Sequence, residues 1–246
     1  MKTRIATATG AMLADPQSVG NLPPDAVESW FDPDYWRARG ELTAVNGGRG
    51  SAWFIASGAR RWVLRHFRRG GFIARYSRDR YVWAGEERVR AFAEWRLLRQ
   101  LGEQGLPVPK AVAARYQRGL LSYRCDLITQ RIADAEALSA VLARQALPEP
   151  LWRAVGAVVA RLQRAGVDHA DLNAHNLLLD GRGLISVIDF DRGRVRRPGA
   201  WGLRNLRRLQ RSFEKISGTL PPDRYSARNW AWLLAGYEAG IGAETG

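Results

Sequence analysis

The chain has 246 residues, 46% of them hydrophobic and ten of them Trp, which suffices for one large domain or two lobes with packed cores and excludes a disordered or fibrous class. Its formal net charge is +14, and since lysine occurs only at positions 2, 110 and 215, 35 of the 38 cations are arginine. Such a balance attracts polyanions: nucleic acid, an anionic membrane surface or phosphorylated small molecules. The single cysteine, Cys125, excludes an internal disulfide and, lying in an apolar stretch, reads as a buried thiol in a reducing compartment.

From Met1 to Asp15 no apolar run is long enough for a signal peptide, and no window approaches a membrane span, so a cytoplasmic location with at most peripheral membrane contact is expected. Residues 15–40 carry Pro16, Pro23, Pro24 and Pro33 among acids and aromatics, and read as an irregular lead-in with one helical turn near 34–40. Its aromatics, Trp30, Phe31, Tyr35 and Trp36, are expected to pack on the lobe that follows. Gly47, Gly48, Gly50 and Ser51 form a glycine-rich turn that feeds a hairpin through Ala52–Ile55, Gly58 and Arg61–Phe67. Glycines there let backbone N–H groups approach a nucleotide's phosphates, although alone such a turn does no more than join two strands. Glu86–Leu101 is an amphipathic helix with Val89, Phe92, Leu98 and Leu101 on one stripe. Glu94 lies on that same stripe, where a carboxylate calls for a cation. After Pro107-Val108-Pro109 comes a strand within Leu121–Ile132. Pro148 and Pro150 open a helix that carries Leu151, Val155, Val158 and Leu162 and closes at Gly166. Two more helices are expected, around Trp201–Ile216 and around Trp230–Tyr237.

Between them lies the stretch with the most chemistry, His169-Ala170-Asp171-Leu172-Asn173-Ala174-His175-Asn176, followed by Leu177–Leu179, a turn at Asp180-Gly181, and Ile185–Ile188 leading to Asp189-Phe190-Asp191. The two apolar runs predict a short hairpin that brings Asn176 and Asp189 to one end of the ladder. An acid two residues after a histidine, an amide five later and a second acid at a strand end is the spacing used for phosphoryl transfer in the kinase fold. The transferred phosphoryl needs a metal held by an amide and a carboxylate, for which Asn176 and Asp189 are the candidates, and one carboxylate to accept the acceptor hydroxyl's proton, for which Asp171 is the candidate. In that pattern the strand after the glycine turn carries a lysine on the nucleotide's phosphates. No lysine exists between Lys2 and Lys110, and Arg65 is the cation at that place, with Glu94 as its expected partner. The nucleotide-binding set is then Gly47, Gly48, Gly50, Ser51, Arg65 and Glu94, with backbone at Gln130 and Ile132 facing the adenine.

Together with Val63–Gly71, Ser77–Tyr81, Glu94–Leu98 and the segment Ile188–Arg194, these motifs make residues 45–216 resemble the lipopolysaccharide kinase family of the protein-kinase-like superfamily. The resemblance implies an α+β, two-lobed fold: a lead-in at 1–44, a small antiparallel β lobe with one helix at 45–132, and a mainly helical lobe at 133–246. It implies ATP with Mg2+ or Mn2+, and phosphorylation of the 4-hydroxyl of 3-deoxy-D-manno-octulosonic acid (Kdo) on a lipid A precursor. It also implies a peripheral position on the anionic cytoplasmic side of an inner membrane, with no nucleic acid and no obligate protein partner. Asn173 departs from the protein Ser/Thr kinases, which usually carry lysine there, and only about a dozen residues separate Asp191 from the next helix. Both departures favour a small-molecule or glycan acceptor over a peptide. Heptose or aminoglycoside phosphotransfer, and a catalytically inactive basic binding module, remain the alternatives at this stage. The arginine-rich segment 68–83, with Arg75, Arg78 and Arg80, is the candidate for reading an acidic lipid acceptor.

Overall fold

The computed structural model describes residues 4–46, 52–68 and 79–242. Two strands, β1 (Arg4–Thr7) and β2 (Gly10–Ala14), precede three short helices, α1 (Pro16–Val19), α2 (Pro24–Glu28) and α3 (Pro33–Arg37). The expected irregular lead-in is therefore structured. Each of these helices begins on a proline, whose fixed φ suits the first helical position and whose missing N–H costs nothing there. At α3 the Asp32 carboxylate also caps the Asp34 N–H.

Next come β3 (Leu42–Asn46), β4 (Ala52–Ser57), β5 (Arg60–His66) and β6 (Tyr81–Val82), and then the helix α4 (Arg90–Glu103). The pair β7 (Ala111–Arg118) and β8 (Ser122–Gln130) follows. These strands form one antiparallel sheet in the order β1-β2-β7-β8-β5-β4-β3, with β6 paired to β8 beyond the end of β5. β4 and β5 turn at Gly58, whose φ of 54° only glycine adopts freely, and pair Ser57 with Arg60 through to Ala52 with Arg65. The aromatics of the N-terminal helices pack on this sheet as expected. Trp30 and Trp36 meet the Trp62 ring at 4.8 and 6.1 Å in a cluster with Met12, Ile55, Leu64 and Ile128. Burial of that size is what makes so arginine-rich a unit stable. Cys125 is fully buried and its thiol is pushed up to about 12 by that burial, so it is inert.

The second part of the chain holds β9 (Ala135–Ala137), α5 (Leu138–Arg144), α6 (Glu149–Arg164), β10 (Val167–Asp168), β11 (Leu177–Asp180), β12 (Ile185–Val187), β13 (Arg194–Val195), α7 (Trp201–Ser217) and α8 (Ala227–Gly242). α6 and α8 press together through glycine. A Cβ placed on Gly156 would stand 1.9 Å from the Leu233 carbonyl oxygen, and one on Gly236 2.1 Å from that of Arg153.

The chain divides into two compact units, residues 1–99 with 110–131, and residues 100–109 with 132–246. The N-terminal residues belong to the first unit because β1 and β2 are strands of its sheet, and 100–109 belong to the second, where the Val187 N–H bonds the Pro107 carbonyl. An antiparallel sheet carrying a helix, followed by a mainly helical unit, is the two-lobed kinase-like fold. No helix among the described residues is long and apolar enough to cross a membrane.

In the first unit the His66 ring lies between Asp126, 2.6 Å from Nδ1, and Asp79, 3.4 Å from Nε2, and these acids also pair with Arg115 and Arg124. The Asp126 hydrogen bond raises the His66 pKa above its ordinary 6.5, against the opposing effect of burial. A raised pKa stabilises the folded state fully below pH 6.5, and that contribution is lost as pH climbs through the folded value. His66→Gln should therefore flatten the fall in melting temperature on going from acid to alkaline buffer. A variant whose melting temperature tracks the parent's at every pH would remove His66 from the account.

Candidate active site

The loop that carries Asp171 is tied to the segment that carries Asp189 by one ring. His169 is buried; its Nε2 lies 3.0 Å from the Ile188 carbonyl, and its Nδ1 accepts the Asp171 N–H at 3.2 Å. Burial depresses its pKa, so the ring is neutral, and only the tautomer protonated on Nε2 makes both bonds. It packs against the Phe190 ring at a tilt of 56°, with centroids 4.7 Å apart. The ring thus ties the segment carrying Asp171 to the segment carrying Asp189.

Below it the expected hairpin closes, pairing Leu177 with Val187 and Leu179 with Ile185, and its turn is fixed by the Asp180 carboxylate, which accepts from the Arg182 and Leu184 N–H groups. Asn176 is buried. Its amide nitrogen donates to the Asp171 carbonyl at 2.9 Å, and its own carbonyl accepts the Ile188 N–H at 3.0 Å. That orientation leaves the Asn176 side-chain oxygen as an acceptor. Asp189 sits at φ 62°, a left-handed conformation that costs an ordinary residue about 1–3 kcal/mol. The two contacts that surround it, Ile188 N–H to Asn176 and Gly193 N–H to the Phe190 carbonyl at 2.7 Å, hold it there. An amide oxygen and a carboxylate are hard donors that fit Mg2+ or Mn2+. Asn176 and Asp189 are the residues that would hold such an ion. No group of three or more His, Cys, Asp or Glu arranged for a metal occurs among the described residues.

Asn173 does not stand in for a lysine. Its oxygen accepts the His175 and Asn176 N–H groups at 2.9 and 3.2 Å and its nitrogen donates to the Asp171 carbonyl at 2.9 Å, so it folds the loop. The cation comes from elsewhere. Arg208 of α7 reaches the Asp171 carboxylate, Nη1 to Oδ1 at 3.0 Å. Both side chains are half-exposed, so the pair contributes little to stability. Two more α7 residues grip the loop. The Ser212 hydroxyl accepts the Ala174 N–H at 3.1 Å, and the buried Asn205, with its amide turned so that the oxygen faces the His169 N–H, accepts it at 3.1 Å. Sequence reading left out Asn205, Arg208 and Ser212. The legible signal was Asn205, a polar residue on the apolar stripe of α7 formed by Trp201, Leu206, Leu209 and Phe213.

In the first unit Arg65 and Glu94 form an ion pair, with Glu94 only 3% exposed and the Arg65 guanidinium also over the Phe67 ring at 4.8 Å. A carboxylate so buried would be costly without its partner. Gln130 ends β8 and donates its N–H to the Lys110 carbonyl, while Ile132 opens the second unit. Gly47, Gly48, Gly50, Ser51, Arg75 and Arg78 lie outside the described residues. Arg80 is exposed and lines a cavity of about 260 Å³ with Arg118 and Arg124.

Residues 33–237 match the model of the "Lipopolysaccharide kinase (Kdo/WaaP) family". The chain belongs to this family. Among curated relatives, it is 48% identical over 191 residues to a 3-deoxy-D-manno-octulosonic acid kinase of Stenotrophomonas maltophilia, covering 76% of this chain and 75% of that one. It is 43% identical over 236 residues to the enzyme of the same name from Xanthomonas axonopodis pv. citri, covering 95% and 91%. A third of that name, from Xylella fastidiosa, is 46% identical over 189 residues, 76% and 75% of the two chains.

If the contact with Arg208 keeps Asp171 in its pose, its loss should show in turnover. Arg208→Ala should lower kcat by about tenfold while the KM for ATP moves less than about twofold, and Arg208→Lys should recover part of the loss. An unchanged kcat in the alanine variant would show that the contact is incidental.

Proposed function

We propose that the protein transfers the γ-phosphoryl group of ATP to the 4-hydroxyl of Kdo on a lipid A precursor, in the synthesis of the lipopolysaccharide core, as a peripheral protein of the cytoplasmic face of the inner membrane. Membership of the family and kinship with enzymes named Kdo kinase support the reaction class and the sugar. The observation that carries the chemistry is the arrangement around His169, which holds Asp171, Asn176 and the strained Asp189 on one hydrogen-bonded frame.

In the second unit Asp171 accepts the proton of the attacking hydroxyl as its oxygen bonds to the γ-phosphorus and the bond to the ADP oxygen breaks. A divalent ion held by Asn176 and Asp189 neutralises charge on the phosphoryl oxygens when bound. In the first unit Arg65, aimed by Glu94, grips phosphate oxygens of the nucleotide, with the backbone of Gly47, Gly48, Gly50 and Ser51 as further donors. Arginine does this work without lysine because its fork is charged at every physiological pH and binds two oxygens at once. Arg80, with Arg75 and Arg78, is assigned to the carboxylate of Kdo and the phosphates of the acceptor lipid. The +14 charge suits an anionic glycolipid and disfavours a cationic aminoglycoside.

The test is transfer from labelled ATP to a panel of acceptors, namely a Kdo-lipid, a heptosylated lipid and an aminoglycoside, with phosphorus NMR of the product. The Kdo-lipid should be preferred by about two orders of magnitude in kcat/KM, with the new phosphate coupled to the proton on C4. Preference for heptose or an aminoglycoside overturns the acceptor, and no transfer to any of the three overturns the assignment as a kinase.

A further inference from the structure

The turn between β7 and β8 is closed by the Gly119 N–H on the Ser122 carbonyl at 2.7 Å, leaving Leu120 and Leu121 at its tip. Such turns are normally made of Gly, Asn, Asp or Ser. Here the two leucines are 90% and 78% exposed. Beside them Val82 of β6, paired with Ser122, is 72% exposed, and the Trp83 N–H bonds the Leu121 carbonyl at 3.0 Å. Three apolar side chains therefore project at one end of the sheet, the end of β8 away from Gln130.

Arginines surround them. Arg118, its guanidinium 4.8 Å from the Trp83 ring centroid, lines the cavity of about 260 Å³ already described, together with Arg80, Arg124, Thr9 and Ser122. Asp79 pairs with Arg124 at 2.8 Å and with His66. Arg80, Arg118 and Arg124 are the charged residues of the cavity lining, so its rim is cationic.

We propose that this hairpin tip is the surface by which the protein docks on a bilayer containing anionic phospholipid. Leu120, Leu121 and Val82 enter the boundary between headgroups and acyl chains, while Arg118 and Arg124 meet phospholipid phosphates. The inference deepens the peripheral-membrane reading given under the proposed function and rests on it. An exposed leucine pair gains nothing in water and gains burial in a lipid interface, and a cationic collar is complementary to anionic headgroups. A protein partner fits less well, since three side chains on a protruding turn are far short of the roughly 800 Å² per partner of a stable interface. A nucleic acid backbone would engage the arginines and leave the leucines in water.

The test is flotation of the full chain with vesicles of phosphatidylcholine alone and of phosphatidylcholine with phosphatidylglycerol. The wild type should float with the anionic vesicles, and Leu120→Ser/Leu121→Ser should lower that affinity by about tenfold or more. Arg118→Gln should weaken binding at low salt and reduce its salt dependence. Because both leucines are exposed, the melting temperature of the serine variant should match the parent's, as should its phosphorylation of a water-soluble Kdo oligosaccharide. Leu120→Cys carrying a polarity-sensitive dye should report an apolar environment on the anionic vesicles, the native Cys125 being buried and unreactive. Equal flotation of wild type and serine variant, wild-type flotation on neither vesicle, or a bound protein whose dye stays in water overturns the proposal. Docking through the tip by a protein that phosphorylates no Kdo acceptor would uphold this surface and sink the kinase assignment instead.

Discussion

The neutral imidazole of His169 is the constraint on which the second unit's chemistry depends. It takes the Asp171 N–H on one nitrogen and gives its proton to the Ile188 carbonyl on the other, so that two segments of different origin, a loop and a strand end, share one rigid support. Protonation would turn the accepting nitrogen into a donor and break the bond to Asp171. Burial against Phe190 keeps the ring neutral. Asn176 repeats the same logic, donating to the Asp171 carbonyl and accepting from Ile188. With both residues bonded in two directions, the left-handed backbone of Asp189 can be held at a cost the hairpin offsets.

Arginine dominates the electrostatics of both units and does so by contact. Glu94, buried on α4, is met by Arg65 of β5, and Asp171 is met by Arg208 of α7. A guanidinium keeps its proton even when partly buried. Much of the +14 charge remains exposed and available to anionic partners.

Much of this was legible in the sequence, for physical reasons that differ from element to element. The β11–β12 hairpin was readable because apolar runs flank Asp180-Gly181, and α6 because its apolar stripe is framed by prolines and glycine. The Arg65 and Glu94 contact was legible because a carboxylate on an inward stripe demands a cation and few stood on the right strand. The helices α1 and α2 were hidden because Pro16 and Pro24 read as breakers, when at the first helical position proline is a starter, whereas α3 overlaps the helical turn expected near 34–40. β7 was missed because Ala111-Val-Ala-Ala-Arg lacks the alternation of a half-buried strand, being buried along most of its length. The grip of α7 on the catalytic loop is a contact between segments more than thirty residues apart, and no local pattern announces which polar residue of a helix will meet which loop.

The most direct test of the catalytic account is single-turnover phosphoryl transfer by Asp171→Asn, with ATP affinity measured on the same protein by equilibrium binding. The account predicts a fall in transfer rate of about two orders of magnitude or more with ATP affinity nearly unchanged, because the asparagine keeps the backbone bonds to His169, Asn173 and Asn176 and loses the proton acceptor together with its ion pair to Arg208. Transfer at the wild-type rate would contradict it and take Asp171 out of the reaction.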